Sequence, residues 1–131
     1  PGEVLGEPLG RAERLAKDLP RLTALLARGP YLLFDALGEW PHVNTLVSDH
    51  DVAVALRELG RAGYDTQLLV SQGVAAKTRL KAYGGGGYAF IPEQYRPYLR
   101  KLGVNEGELQ ALLATNPQRL LTLAAPQGDA R

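Results

Sequence analysis

Two short apolar runs constrain this chain more than any other feature. Tyr31-Leu32-Leu33-Phe34-Asp35-Ala36-Leu37 holds a single carboxylate, and Gln67-Leu68-Leu69-Val70-Ser71 follows the same pattern. Runs this short and this continuous read as strands buried on both faces, as parallel strands are when helices cover them. Between them, Ser48-Asp49-His50-Asp51 has the form of a capping box. It opens a helix with Val52, Ala55, Leu56 and Leu59 on one face, closed by Gly63. Ahead of the first run, Asp18 before Leu19-Pro20 predicts a helix over residues 19–28, ended by Arg28 and Gly29. Glu3-Val4-Leu5-Gly6 reads as the end of an earlier strand. Strand and helix therefore alternate, which is the mark of βα units.

The second half of the chain is helical. From Gln72 to about Ile91 runs a long segment with four consecutive glycines at 84–87; a loop of that length in a compact domain is functional or disordered, and here it reads as a flexible lid. Pro92 starts a helix with Tyr95, Tyr98, Leu99 and Leu102 inward, interrupted at Pro97 and closed by Gly103. Asn105 to Glu108 is a second capping arrangement, for a helix carrying Leu109, Leu112 and Leu113. Asn116-Pro117 opens a last short helix with Leu120 and Leu121, and residues 124–131 read as a frayed tail beyond a domain over residues 1–123. The order β-α-β-α-β-loop-α-α-α supplies about three βα units, where a closed barrel needs eight strands and about 250 residues. Three units make either a small open α/β domain or a piece of a barrel.

Composition narrows the chemistry. With no cysteine among 131 residues, disulfides, thiolate zinc sites and a cysteine nucleophile are excluded. A formal net charge of +1 favours no particular partner. No apolar run approaches the ~18–20 residues of a membrane span, and the first residues lack the basic-then-apolar form of a signal peptide, so a soluble, cytoplasmic protein is the expectation. Ser71 follows a strand without a Gly-x-Ser-x-Gly elbow, and the glycine run lacks the Gly-Lys-Ser/Thr of a phosphate loop.

Several segments together resemble the phosphotriesterase-like proteins of the amidohydrolase superfamily. Residues 28–38, Arg-Gly-Pro-Tyr-Leu-Leu-Phe-Asp-Ala-Leu-Gly, are similar to that family's seventh strand. Ala62-Gly63-Tyr64 and Gln67-Leu68-Leu69-Val70-Ser71-Gln72-Gly73-Val74 resemble its eighth strand, and residues 77–89 its eighth loop. Leu102-Gly103-Val104-Asn105-Glu106 and Asn116-Pro117-Gln118-Arg119-Leu120-Leu121 resemble its C-terminal helices. The resemblance spans residues 28–123 and is weaker over 3–27. It implies an α/β fold of partial (β/α)8 TIM-barrel type, about the last three βα units plus C-terminal helices.

The family's members bind two divalent metals, zinc among them, at the C-terminal strand ends, where a bridging hydroxide attacks lactones, phosphotriesters or related esters. The implied ligands are an HxH pair on the first strand, a lysine on the fourth, histidines on the fifth and sixth, and a proton-shuttling aspartate on the eighth. The first five strands have no counterpart here. Gly6-Glu7 stands where the family has Gly-His, leaving Glu7 as a candidate metal ligand. Gly73 stands where the family has its metal-binding aspartate, and Gly86 where its loop often has histidine. Ala36 follows Asp35 where lactonase-like members often have arginine. The expectation is a chain inactive alone, with no catalytic residue and no cofactor of its own.

Other readings of the same residues stay open. Asp35, Trp40 and His42 are candidates for the substrate cleft; each also has a structural reading, as a hydrogen-bonded strand carboxylate, a hydrophobic cover and a loop histidine. His50, in a helix first turn, is expected to be exposed. Three βα units leave strand edges at both ends, which suits a homo-oligomer or a complementing N-terminal half barrel. A polyanion or nucleic-acid module through residues 77–101 is the third reading, because Lys77, Arg79, Lys81, Arg96, Arg100 and Lys101 interleave with Tyr83, Tyr88, Phe90, Tyr95 and Tyr98. Against it, such charges are more often a solvated helix face.

Overall fold

The computed structural model describes residues 4–5, 15–38, 47–74 and 76–122. Three parallel strands, β1 (Val4–Leu5), β2 (Tyr31–Phe34) and β3 (Leu68–Val70), lie side by side in chain order. Val4 pairs with Tyr31, and Leu32, Leu33 and Phe34 pair with Leu68, Leu69 and Val70. Helix α1 (Leu19–Leu26) links β1 to β2, and α2 (Asp49–Arg61) links β2 to β3. The predicted βα alternation is therefore the fold of this half.

Local chemistry sets the helix starts. Asp18 caps α1 by accepting the Arg21 N–H at 3.2 Å. Ser48 and Asp51 form the capping box of α2, Ser48 Oγ accepting from the Asp51 N–H at 3.2 Å and the Asp51 carboxylate from the Ser48 N–H at 2.8 Å. Gly29 and Gly63, at φ +93° each, turn the chain out of α1 and α2 in the left-handed conformation that glycine alone adopts freely. Gln67 then ties the two units together: its Nε2 donates to the Leu26 carbonyl at 2.8 Å and the Pro30 carbonyl at 2.9 Å.

The main core of the described residues lies on one face of the sheet. Leu32, Phe34 and Leu68 belong to the main core with Leu22, Leu26, Leu56 and Leu59, and Val70 packs against it. Tyr31, Leu33 and Leu69 point to the other side and stand outside that core. Leu69 on that side is nonetheless buried, at 5% exposure, and Leu33 is half-buried, so β3 is sheltered on both faces.

The C-terminal half departs from the sequence reading at both prolines. A π turn, Ile91–Tyr95, runs without a break into α3 (Arg96–Lys101), so Pro97 does not interrupt the helix. The segment α4 (Glu106–Gln110), capped by Asn105 and Glu108, runs through a second π turn, Ala111–Thr115, into α5 (Asn116–Leu121), so Asn116-Pro117 continues a helix where a new one was expected. Each π turn ends two residues before a proline, opening the hydrogen-bond ladder where the ring would strike a carbonyl and the missing N–H would leave it bare. Leu121, at the end of that helix, is exposed.

Asn116 is fully buried. Its Nδ2 donates to the Leu68 carbonyl at 2.9 Å and the Asp65 carbonyl at 2.6 Å, clamping α5 to the start of β3. Residues 124–131, expected to fray, lie outside the described residues.

Candidate functional site at the strand ends

The C-terminal ends of β2 and β3 carry the residues that the sequence singles out. Past the strands the two backbones stay together: the Ser71 N–H donates to the Phe34 carbonyl at 2.8 Å, the Leu37 N–H to the Ser71 carbonyl at 3.2 Å and the Gly73 N–H to the Asp35 carbonyl at 2.8 Å. Gly73 is pressed against its neighbour. A Cβ built on it would lie 2.7 Å from the Asp35 carbonyl oxygen, closer than real side chains approach. Its own carbonyl accepts a hydrogen bond from the Arg79 guanidinium.

Phe90 closes the other side. A Cβ on Gly38 would meet its ring at 2.9 Å and one on Gly86 at 3.1 Å, so the ring is packed between the loop after β2 and the glycine run. Gly38, at φ +83°, also donates its N–H to the Asp49 carboxylate at 3.1 Å. Burial raises the Asp49 carboxyl above the usual range, and the Gly38 bond offsets part of that. Beneath, the buried Tyr95 hydroxyl donates to the Asp49 carbonyl at 2.8 Å, and burial pushes the phenol far up.

Residues 76–90, read as a flexible lid, form two 3₁₀ turns, Lys77–Arg79 and Lys81–Tyr83. They are pinned by the Arg79–Gly73 bond, by Gln72 donating to the Tyr88 carbonyl and by the Gly87 N–H on the Arg79 carbonyl at 2.8 Å. What remains open is a shallow depression of about 190 Å³, solvent included, lined by Leu37, Gly38, Gln72, Arg79, Gly86 and Phe90 among others.

Asp35 is half-buried at the end of β2. Glu7, Trp40 and His42 lie outside the described residues. His50 is exposed, as expected, and its Nδ1 shares a hydrogen bond with the Tyr98 hydroxyl. Among the described residues no three histidine, aspartate or glutamate side chains gather as a metal site would require. The donors among the described residues do not fit a metal at this place, because Gly73 offers no side chain and the space for one is taken.

Half of the basic residues of that stretch pair with carboxylates among the described residues. Lys81 pairs with Glu93 at 2.8 Å, and Glu106 accepts from Arg100 at 2.6 Å and Arg96 at 3.2 Å, which holds its carboxyl below the usual range. Tyr95 is core, while Tyr83 and Tyr88 are exposed. Sequence reasoning placed Phe90 in this basic and aromatic stretch, and Arg79 there and in the eighth-loop resemblance; their contacts with Gly73 and Gly86 span six and four residues and follow no capping or periodic pattern.

Residues 9–121 match the phosphotriesterase family. The chain belongs to that family. Its sequence is 37% identical over 120 residues to an N-acetyltaurine hydrolase of Pongo abelii, an alignment covering 87% of this chain and 34% of the relative. Its fold superposes on the resiniferatoxin-binding protein of Rhodobacter sphaeroides with a TM-score of 0.75 and 35% identity, covering 82% of this chain and 31% of that one. It superposes on the phosphotriesterase homology protein of Escherichia coli, solved with phosphate in its active site, with a TM-score of 0.69 and 26% identity, covering 77% of this chain and 33% of that one. The chain thus spans about a third of the length of its relatives. No described helix is long and apolar enough to cross a membrane.

Proposed function

We propose that this chain forms the last three βα units of a phosphotriesterase-type (β/α)8 barrel and does not catalyse hydrolysis by itself. In this reading it builds one wall of a hydrolase site, and the groups that bind metal and move protons in the family are not supplied by residues of this wall. One observation carries the reading: at Gly73, where the resemblance puts the eighth-strand aspartate, the Asp35 carbonyl oxygen occupies the space a side chain would need. At Gly86, where the family's loop often has histidine, a Cβ would lie 3.1 Å from the Phe90 ring, so the ring would have to give way.

The bond class to test follows from the family: lactones, phosphotriesters and related esters, with N-acetyltaurine added because relatives carry its name. The experiment loads the 131-residue chain with zinc, removes free metal, measures bound zinc by mass spectrometry and assays that panel. The expected result is less than a tenth of an equivalent of zinc and no turnover above that of zinc alone. Stoichiometric zinc with turnover would overturn the reading.

A further inference from the structure

The turn that carries the glycine run is tightly built, yet it leaves two aromatic rings in solvent. Tyr83 is 61% exposed and Tyr88 71%. The backbone between them is pinned. The Gly84, Gly85 and Gly87 N–H groups donate to the Lys81, Leu80 and Arg79 carbonyls at 3.1, 3.0 and 2.8 Å, and the Tyr88 carbonyl accepts from Gln72. A Cβ on Gly85 would fall 2.2 Å from the Arg79 carbonyl carbon, so glycine alone lets the run fold back on the Lys77–Arg79 turn. The same fold-back brings Lys81 close to both tyrosines in the backbone. Tyr83 shares its 3₁₀ turn, and a Cβ on Gly87, the neighbour of Tyr88, would stand 3.6 Å from the Lys81 Cβ. Neither tyrosine nor Lys81 lines the depression at the strand ends.

Charge is concentrated on the same stretch. Residues 77–101 hold six Lys or Arg and one acidic residue, a formal +5, whereas the rest of the chain holds nine basic and thirteen acidic side chains, a formal −4. Arg96 and Arg100 are taken up by Glu106, and Arg79 turns in to Gly73. Lys77 makes no ion pair among the described residues. The Lys81–Glu93 pair joins side chains 65% and 53% exposed, so water and salt screen it and a phosphate can take the carboxylate's place.

We propose that the Lys81–Tyr88 turn binds single-stranded nucleic acid, with bases stacked on Tyr83 and Tyr88 and phosphates held by Lys81 and Lys77. The rings choose this occupant over an acidic peptide. Carboxylates would satisfy the lysines and leave two aromatic faces in water, whereas every nucleobase has a face to stack. A turn already pinned by its own hydrogen bonds also loses little freedom on binding. The activity of the hydrolase family plays no part in this binding.

The test titrates the whole 131-residue chain into a fluorescein-labelled oligothymidylate of about 12 nucleotides and reads anisotropy. The expected dissociation constant is on the order of 10⁻⁴ to 10⁻⁶ M. Two phosphate contacts give a salt slope of about −1.4, a weakening of about sevenfold between about 50 and about 200 mM salt. Tyr83→Ala and Tyr88→Ala should each weaken binding by at least about fivefold, and Tyr83→Phe and Tyr88→Phe should stay within about twofold, because the ring is what stacks. Lys81→Gln should bring the salt slope to about −0.7. An abasic strand of the same length and a polyglutamate of the same charge should each bind at least about tenfold more weakly. No binding at the lower salt, equal binding of the abasic strand, or alanine variants that bind like wild type would overturn the proposal. Equal binding of polyglutamate would overturn it too and mark the turn as a surface for acidic peptides.

Discussion

Gly73 offers a substitution whose sign is decided by one distance. Its backbone is not in the left-handed region, so Gly73→Ala would ordinarily stabilise by about 0.4–1 kcal/mol through loss of freedom in the unfolded chain. The new Cβ, however, would stand 2.7 Å from the Asp35 carbonyl oxygen, against about 3.3–3.6 Å for an ordinary carbon–oxygen contact. One of two paired backbones must move by more than half an ångström, and the Gly73–Asp35 hydrogen bond of 2.8 Å lies in the path of that movement. Overpacking of this kind costs about 1–3 kcal/mol. The net expectation for Gly73→Ala is a loss of about 1–2 kcal/mol, a fall in melting temperature of about 3–8 °C. Gly73→Asp should fall at least as far and should gain no stoichiometric zinc, because its carboxylate has no partner ligands among the described residues. Thermal melts by circular dichroism for wild type, Gly73→Ala and Gly73→Asp, with zinc titrated calorimetrically into each, measure both. Gly73→Ala melting at or above wild type would refute the steric argument, and one tight zinc on Gly73→Asp would refute the account of the missing site.

Three further substitutions test the framework. Asn116→Ala leaves the Leu68 and Asp65 carbonyls without the clamp and should cost about 2–4 kcal/mol in urea unfolding; a cost under about 0.5 kcal/mol would mean the clamp is idle. Asp49→Asn should raise stability at pH 7, because a carboxyl raised by burial favours its protonated form in the fold; the advantage should shrink as the pH falls from the raised value toward 3.8. Urea midpoints at pH 7 and pH 4 report it, and an advantage that grows on acidification would contradict the assignment. Asp51 has the opposite sign: the Ser48 N–H holds its carboxyl below the usual range, so its contribution is present above 3.8 and lost as pH falls through the lowered value. Asp51→Asn should flatten that acid limb, and an unchanged acid limb would remove Asp51 from the account.

What could be read from sequence alone follows the range of the interactions involved. The caps at Asp18, Ser48 and Asn105 are contacts over three residues, so their spelling appears in the chain and they form as read. Pro97 and Pro117 were misread as breaks because a π turn relieves a proline only when packing on both sides keeps the helix in line, as buried Tyr95 and Leu99 do around one and Leu112 and Asn116 around the other. The two-sided apolar pattern of β2 and β3 was read correctly as composition; what it could not show is that the main core of the described residues lies on one side. The glycines at 73 and 86 stood out against the family's motif. That Asp35 and Phe90 fill the space beside them could not be read, since those contacts join segments distant in sequence or folded back by a turn.

The clamp by Asn116 also has a consequence in time. It reaches back 48 residues to the Leu68 carbonyl. At about 5–20 residues per second of synthesis, β3 leaves the peptidyl-transferase centre some 2–10 s before the side chain that completes its lower edge has been made. Over that interval the Leu68 and Asp65 carbonyls lack the side chain that later holds them. The nascent chain therefore passes through a stage in which its most recently formed strand is also its stickiest, and slower elongation over residues 69–116 should lengthen that exposure and lower the soluble yield.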